Sequence, residues 1–223
     1  MNNETTQEIE IKVNEKITII GSLDIARDAK GLVIFVHGSG SNRFSPRNRY
    51  SAGLLRDVHF STLLIDLLTK DEETIDLQTR EYRFDINLLA ARVITATKWV
   101  LTYASTKNLP IGYFGASTGA AAALVASAEL GDIIKAVVSR SGRPDLAGNK
   151  LPKVKSPTLL IVGGSDPEVI EINKQAAELM SAKIKISIVP GATHLFEESG
   201  TLRIASLQAA DWYIQHLGNP LSF

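Results

Sequence analysis

Ser117, Asp166 and His194 are residue types that together can make a hydroxyl attack a carbonyl, and each follows an apolar run of this chain. Ser117 stands in Gly115-Ala116-Ser117-Thr118-Gly119, after the apolar Leu109 to Phe114 and before the alanine-rich Ala120 to Leu130. A strand, a Gly-x-Ser-x-Gly turn and a helix in that order force the serine into a strained backbone and expose its oxygen at the end of the sheet. A side chain at either flanking glycine would collide with the neighbouring strand or helix. The first helical N–H groups point at the same spot, where they can meet developing negative charge.

The five-residue pattern is weak alone, and three further groups carry the argument. Asp166 follows the run Pro157 to Val162 in Gly163-Gly164-Ser165-Asp166, and His194 follows Ile184 to Val189 in Pro190-Gly191-Ala192-Thr193-His194. A histidine so placed can take the serine proton, and a carboxylate can hold the imidazole in the productive tautomer. Aspartate before proline is common in turns, so Glu168 and the more remote Asp145 are alternatives for the acid. Val36-His37-Gly38-Ser39-Gly40 ends an early run, and the N–H groups of Ser39 and Thr118 are the expected oxyanion donors. His37 is expected to order that loop, while His59 and His216 read as ordinary histidines, the latter on the solvent side of the last helix.

Arginines gather near the same segments. Arg43, Arg47 and Arg49 follow the Gly38 loop, and Arg140 and Arg143 follow the run Ile133 to Ser139. They form either a solvated rim paired to the acids of 69–79, or, at Arg43, Arg47, Arg140 and Arg143, a grip on a substrate carboxylate or phosphate. No two histidines have the spacing of metal ligands and there is no cysteine, so neither a metal nor another cofactor is expected.

The elements that must position these groups alternate. The patterns predict strands at 8–13 and 17–20, paired as a hairpin, then at 31–36, 60–67, 109–114, 133–139, 157–162 and 184–189. Helices are expected at 46–58 (capped by Ser45 with Pro46 first), 84–105, 120–130, 169–181 and 202–217. The acidic stretch 69–79 lacks an apolar stripe and reads as a surface loop or frayed helix, and 141–156 as a short loop. Strands alternating with helices imply an α/β fold, a mostly parallel sheet of about eight strands covered on both faces. The gap between the strands ending near Ser139 and starting near Pro157 leaves no room for a cap domain, so the site is expected to be open.

Composition narrows the class. The 223 residues carry 24 basic and 24 acidic side chains, so no overall field favours nucleic acid or a membrane. A single domain spanning 1–223 is expected. Met1 to Thr5 have neither the basic nor the apolar region of a leader, no apolar run approaches a membrane span, and the absence of cysteine excludes disulfides and a thiol nucleophile. A cytoplasmic protein acting on a small molecule, monomer or homodimer, is the expectation.

Taken together, the motifs from His37-Gly38-Ser39-Gly40 through Gly115 to Gly119, and from Asp166 to His194-Leu195-Phe196, resemble the α/β-hydrolase superfamily and its compact dienelactone hydrolase-like group. The order Ser, Asp, His is the order of that fold. Dienelactone hydrolases use cysteine where this chain has Ser117, so the lactone substrate is not carried over. The segments 41–50 and 139–144 are similar to a bacterial subgroup of hydrolases, some fused to a phosphoribosyltransferase. The resemblance implies a serine esterase acting on a small carboxylic ester, one that can carry an anionic group. A thioesterase, an amidase, an acyltransferase and a non-catalytic binding protein are the alternatives.

Overall fold

The computed structural model describes residues 6–218. Met1 to Thr5, on which the reading of an absent leader rests, lie outside the described residues. Eight strands form one sheet in the order β1-β2-β4-β3-β5-β6-β7-β8. Gln7–Lys12 (β1) and Thr18–Asp24 (β2) make the antiparallel hairpin, and β2 runs antiparallel to Phe60–Ile65 (β4). From β4 onward, through Gly31–Val36 (β3), Ile111–Ala116 (β5), Ile134–Arg140 (β6), Thr158–Gly163 (β7) and Ile184–Val189 (β8), every pairing is parallel.

The continuous apolar strands are buried on both sides because alternate side chains enter two separate cores. Ile34, Val36, Leu63 and Ile65 join one core with Ile86–Val100 (α3) and Thr118–Leu130 (α4). Val33, Phe35, Leu64 and Phe114 join the other with Pro46–Asp57 (α1) and Thr201–His216 (α6). The alanines of α4 from Ala120 to Ala123 are fully buried. A helix with such small side chains lies close to the sheet, and that closeness brings its first turn under the end of β5. Tyr213 of α6 donates to the Tyr113 carbonyl at 2.6 Å, tying the last helix to the centre of the sheet.

Several elements depart from the sequence reading. Residues 69–79 form a regular helix, Lys70–Thr79 (α2), held by a capping box in which Thr69 and Glu72 satisfy each other's backbone N–H. The Thr-x-x-Glu signal offsets the missing apolar stripe. A buried ion pair between Arg92 and Glu72, 2.6 Å, fastens the helix to α3. The α3 helix ends at Val100 rather than near 105, where the Thr106 hydroxyl takes the Val100 carbonyl. The segment 141–156 is not plain loop but 3-10 turns over Pro144–Lys153, bent at Gly148, φ 52°. This short connection is all that joins β6 to β7. The His216 ring is half-buried against Trp212 with its Nε2 unpartnered, not turned to solvent. The Ser45 cap of α1 is as expected, accepting from the Asn48 N–H.

Candidate active site

The carboxyl ends of β3, β5, β6, β7 and β8 point to one edge of the sheet, and the chain deposits one candidate group at each. After β5, Ser117 has φ 51° and ψ −125°, a conformation costing on the order of 1–3 kcal/mol that only the surroundings can impose. A Cβ on Gly115 would lie 2.4 Å from Ala120 Cα, and one on Gly119 would lie 2.3 Å from the His37 and Val36 carbonyl oxygens. The two glycines therefore let strand, helix and oxyanion loop meet at distances no other residue allows. The backbone of the serine is pinned as well: its N–H donates to the Arg140 carbonyl at 3.2 Å, and its carbonyl accepts from Ala120 and Arg143.

The turns after β7 and β8 are stitched together by backbone. Gly164 donates to the Val189 carbonyl and Ser165 to that of Ala192. A Cβ on Gly163 would strike the Ala192 carbonyl oxygen at 2.4 Å, so a glycine there is required for the approach. The approach sets His194 Nδ1 at 2.8 Å from Asp166 Oδ2. A carboxylate only accepts, so Nδ1 carries the hydrogen, and in the neutral imidazole Nε2 is the acceptor. The Glu198 carboxylate takes both the Thr193 N–H and hydroxyl, which fixes the turn just before the histidine. Of the other acids considered, Asp145 pairs with Arg143, and Asp166 is the one that meets His194.

Ser117 and His194 line a single cavity of about 250 Å³, whose wall includes Gly38, Ser39, Arg47 and Arg140. The Gly38–Ser41 loop separates it from a second, more apolar cavity of about 190 Å³ under α2, lined by Leu67, Leu68, Leu77 and Leu89. His37 orders the loop between them. Its buried Nε2 accepts from the Leu67 N–H at 3.1 Å and its Nδ1 donates to the Gly38 carbonyl at 2.9 Å. Burial holds its pKa below the usual histidine value. The Ser39 N–H already has a partner, the Thr118 hydroxyl at 2.9 Å.

The four arginines separate. Arg43 lies away from the cavity, its guanidinium on Asp66 (2.8 Å) and Glu8, acids other than those of 69–79. Arg143 forks onto Asp145 at 2.9 and 2.7 Å. Arg47 and Arg140 line the cavity that holds Ser117. Arg43 and Arg143 are thus engaged elsewhere, because acids distant in the chain, or adjacent to it, fold back onto them. Reading the sequence missed the Thr118 hydroxyl, Gly163, Asn48 and Ser51. The last two stand three apart on the buried face of α1 and receive Arg140; only their polar character at buried helical positions hinted at it. No group of three or more His, Asp or Glu side chains among the described residues could hold a metal ion. No described helix is long and apolar enough to cross a membrane.

Comparison with known proteins bears on the family and the fold. A family model described as the dienelactone hydrolase family matches residues 53–212. The crystal structure of a dienelactone hydrolase from Anabaena variabilis is 50% identical, with a TM-score of 0.93 over 95% of this chain and 98% of that one. Est1E from Butyrivibrio proteoclasticus has a TM-score of 0.78 over 93% of this chain and 98% of its own, at 16% identity, which speaks to the fold alone. Two Mycobacterium tuberculosis proteins bearing the name "putative phosphoribosyl transferase" are 52% identical over 204 residues, 92% of this chain. The chain spans 45% of the length of those two relatives.

Proposed function

The chain belongs to the dienelactone hydrolase family of α/β-hydrolases, and from that premise we propose that it is a serine hydrolase cleaving a small carboxylic ester through an acyl-enzyme on Ser117. The observation that carries this reading is the 2.8 Å contact between His194 Nδ1 and Asp166, at the wall of the cavity that also exposes the strained Ser117.

His194 Nε2 takes the proton of Ser117 as the serine oxygen bonds to the ester carbonyl carbon. Asp166 keeps the imidazole in the required tautomer and stabilises its cationic form. The oxyanion is met by the Thr118 N–H, first of α4, and by the Ser39 N–H once it turns from the Thr118 hydroxyl, each worth on the order of 3 kcal/mol of barrier. The tetrahedral carbon then expels the alcohol oxygen, which receives the proton held by His194. In the second half His194 deprotonates a water, the hydroxide adds to the acyl carbon, and Ser117 leaves with that proton. The products are a carboxylic acid and an alcohol.

The transferase name of the two mycobacterial relatives belongs to proteins more than twice as long as the matched region. We assign the hydrolase to this region and the transferase to the remainder of those proteins. Labelling with a fluorophosphonate probe, followed by mass spectrometry of the modified peptide, tests the proposal. Modification of Ser117 that disappears in His194→Ala supports it. Folded wild-type protein that takes no label overturns it.

A further inference from the structure

Arg140 ends β6 beside the strand of Ser117 and is only 5% exposed. Its hydrogen bonds go to neutral groups, Nη2 to Asn48 Oδ1 at 3.0 Å and Nη1 to Ser51 Oγ at 3.4 Å. Its guanidinium lies over the Phe114 ring, 5.4 Å from the centroid. The other largely buried arginines, Arg43, Arg56, Arg83 and Arg92, each pair with a carboxylate. Arg140 pairs with none among the described residues. The charge that acts on it is that of Arg47, of the same sign, and burial with this repulsion pulls its pKa down to about 10. A buried cation without a counter-ion is unfavourable unless an anion arrives to complete it.

The next residue adds a second, independent observation. Ser141 is 3% exposed, and its Oγ has no hydrogen-bond partner. Its φ of 44° holds a non-glycine residue in a conformation it seldom adopts. It lines the same cavity as Ser117, Arg140 and Arg47. Arg47, across the cavity, leans on the exposed Glu197 at 3.3 Å. Ser45, the cap of α1, also borders it, so the positive end of that helix faces the same space.

We propose that this part of the cavity is a subsite for a phosphate group of the substrate, held by Arg140, Arg47 and the hydroxyl of Ser141. A guanidinium has five N–H groups; two of those of Arg140 are engaged, and the rest can fork onto two phosphate oxygens. A carboxylate would be satisfied by that fork alone. The third oxygen of a phosphate occupies the Ser141 hydroxyl, and its second charge is balanced by Arg47. This identification of the substrate as a phosphate-bearing ester rests on the hydrolase reading above; the anion subsite itself does not.

The test is a calorimetric titration of the folded Ser117→Ala protein with inorganic phosphate and, separately, with acetate. Saturable phosphate binding is expected, with acetate weaker by about ten-fold or more, as fewer charge-assisted bonds imply. Arg140→Gln, Arg47→Gln and Ser141→Ala, each added to Ser117→Ala, should each weaken phosphate by about three- to ten-fold or more. If Arg140→Gln fails to fold, the other two variants still decide. Absence of phosphate binding, unchanged affinity in both Arg47→Gln and Ser141→Ala, or acetate binding as tightly as phosphate overturns the proposal. Fluorophosphonate labelling of wild-type protein separates the two readings. Labelled protein that binds no phosphate keeps the hydrolase and loses the subsite, and unlabelled protein that binds phosphate does the reverse.

Discussion

The Ser39 N–H donates to the Thr118 hydroxyl at 2.9 Å, joining the loop after β3 to the residue that follows Ser117. In the proposed mechanism side chain and backbone of Thr118 serve different ends, the hydroxyl anchoring the Ser39 loop beside Ser117 until the oxyanion forms and the N–H meeting the oxyanion itself. Thr118→Val, which keeps the shape and removes the hydroxyl, is expected to slow turnover and fluorophosphonate labelling by about ten-fold or more, because a misplaced donor forfeits alignment. Thr118→Ser should restore most of it. Labelling of Thr118→Val at the wild-type rate would show that the loop needs no such anchor.

Asp166 and His194 make a pair whose value lies in the tautomer. Asp166→Asn can donate to Nδ1 and so favours the hydrogen on Nε2, the wrong nitrogen for accepting the serine proton. Turnover should drop by about three to four orders of magnitude, with a melting temperature close to that of the wild type. A variant retaining a tenth or more of the activity would mean that another acid, Glu168 first, takes over.

Crowding around the Ser117 turn is backbone against backbone, so it cannot relax. Gly119→Ala sets a Cβ within 2.3 Å of two carbonyl oxygens and is expected to yield no stably folded protein. Gly200→Ala is the control. Gly200 has φ 80° with open space around its Cβ position, so only conformational strain of about 1–2 kcal/mol applies. Chemical denaturation of both variants measures the contrast, and equal stabilities would contradict it.

Stability should fall on the acid side of neutrality. Burial keeps the folded-state pKa of His37 below its ordinary value, so the unfolded chain takes up the proton first. The contribution is whole above about pH 6.5 and is lost as the pH drops below it toward the folded value. His216 acts in the same sense, through burial and then the charge of Lys183. Urea unfolding between pH 8 and 5 should show the loss in wild type, a smaller loss in His216→Gln, and the smallest in a His37→Gln, His216→Gln double variant. A flat profile in wild type would contradict it.

Much of the site was legible along the chain. The runs at 31–36, 109–114 and 157–162 are almost continuously apolar and flanked by glycine or proline, and 184–189 alternates before Pro190, so each reads as a strand. Ser117, Asp166 and His194 follow these runs, so their arrival at one sheet edge was readable from the alternation of elements. The α2 helix was not, because its residues have no apolar face; a capping box and an ion pair to α3 hold it instead, and the second of these is tertiary.

The arginines show the boundary most sharply. Composition and position placed five of them near the candidate site, and nothing local distinguished Arg43 from Arg47 or Arg140, whereas Arg143 has its acid, Asp145, two residues on. The fates of the others depend on acids brought up by folding: Asp66 from the end of β4 claims Arg43, and no acid among the described residues pairs with Arg140. The meeting of Asp166 with His194 is likewise set by backbone bonds between two loops and by a missing side chain at Gly163. Hydrophobic periodicity and turn chemistry are properties of neighbouring residues, and they determined the elements, their order and the identity of the nucleophile candidate. That Arg43 is neutralised while Arg140 is left open to a ligand is a property of residues far apart in sequence, and only the tertiary structure decided it.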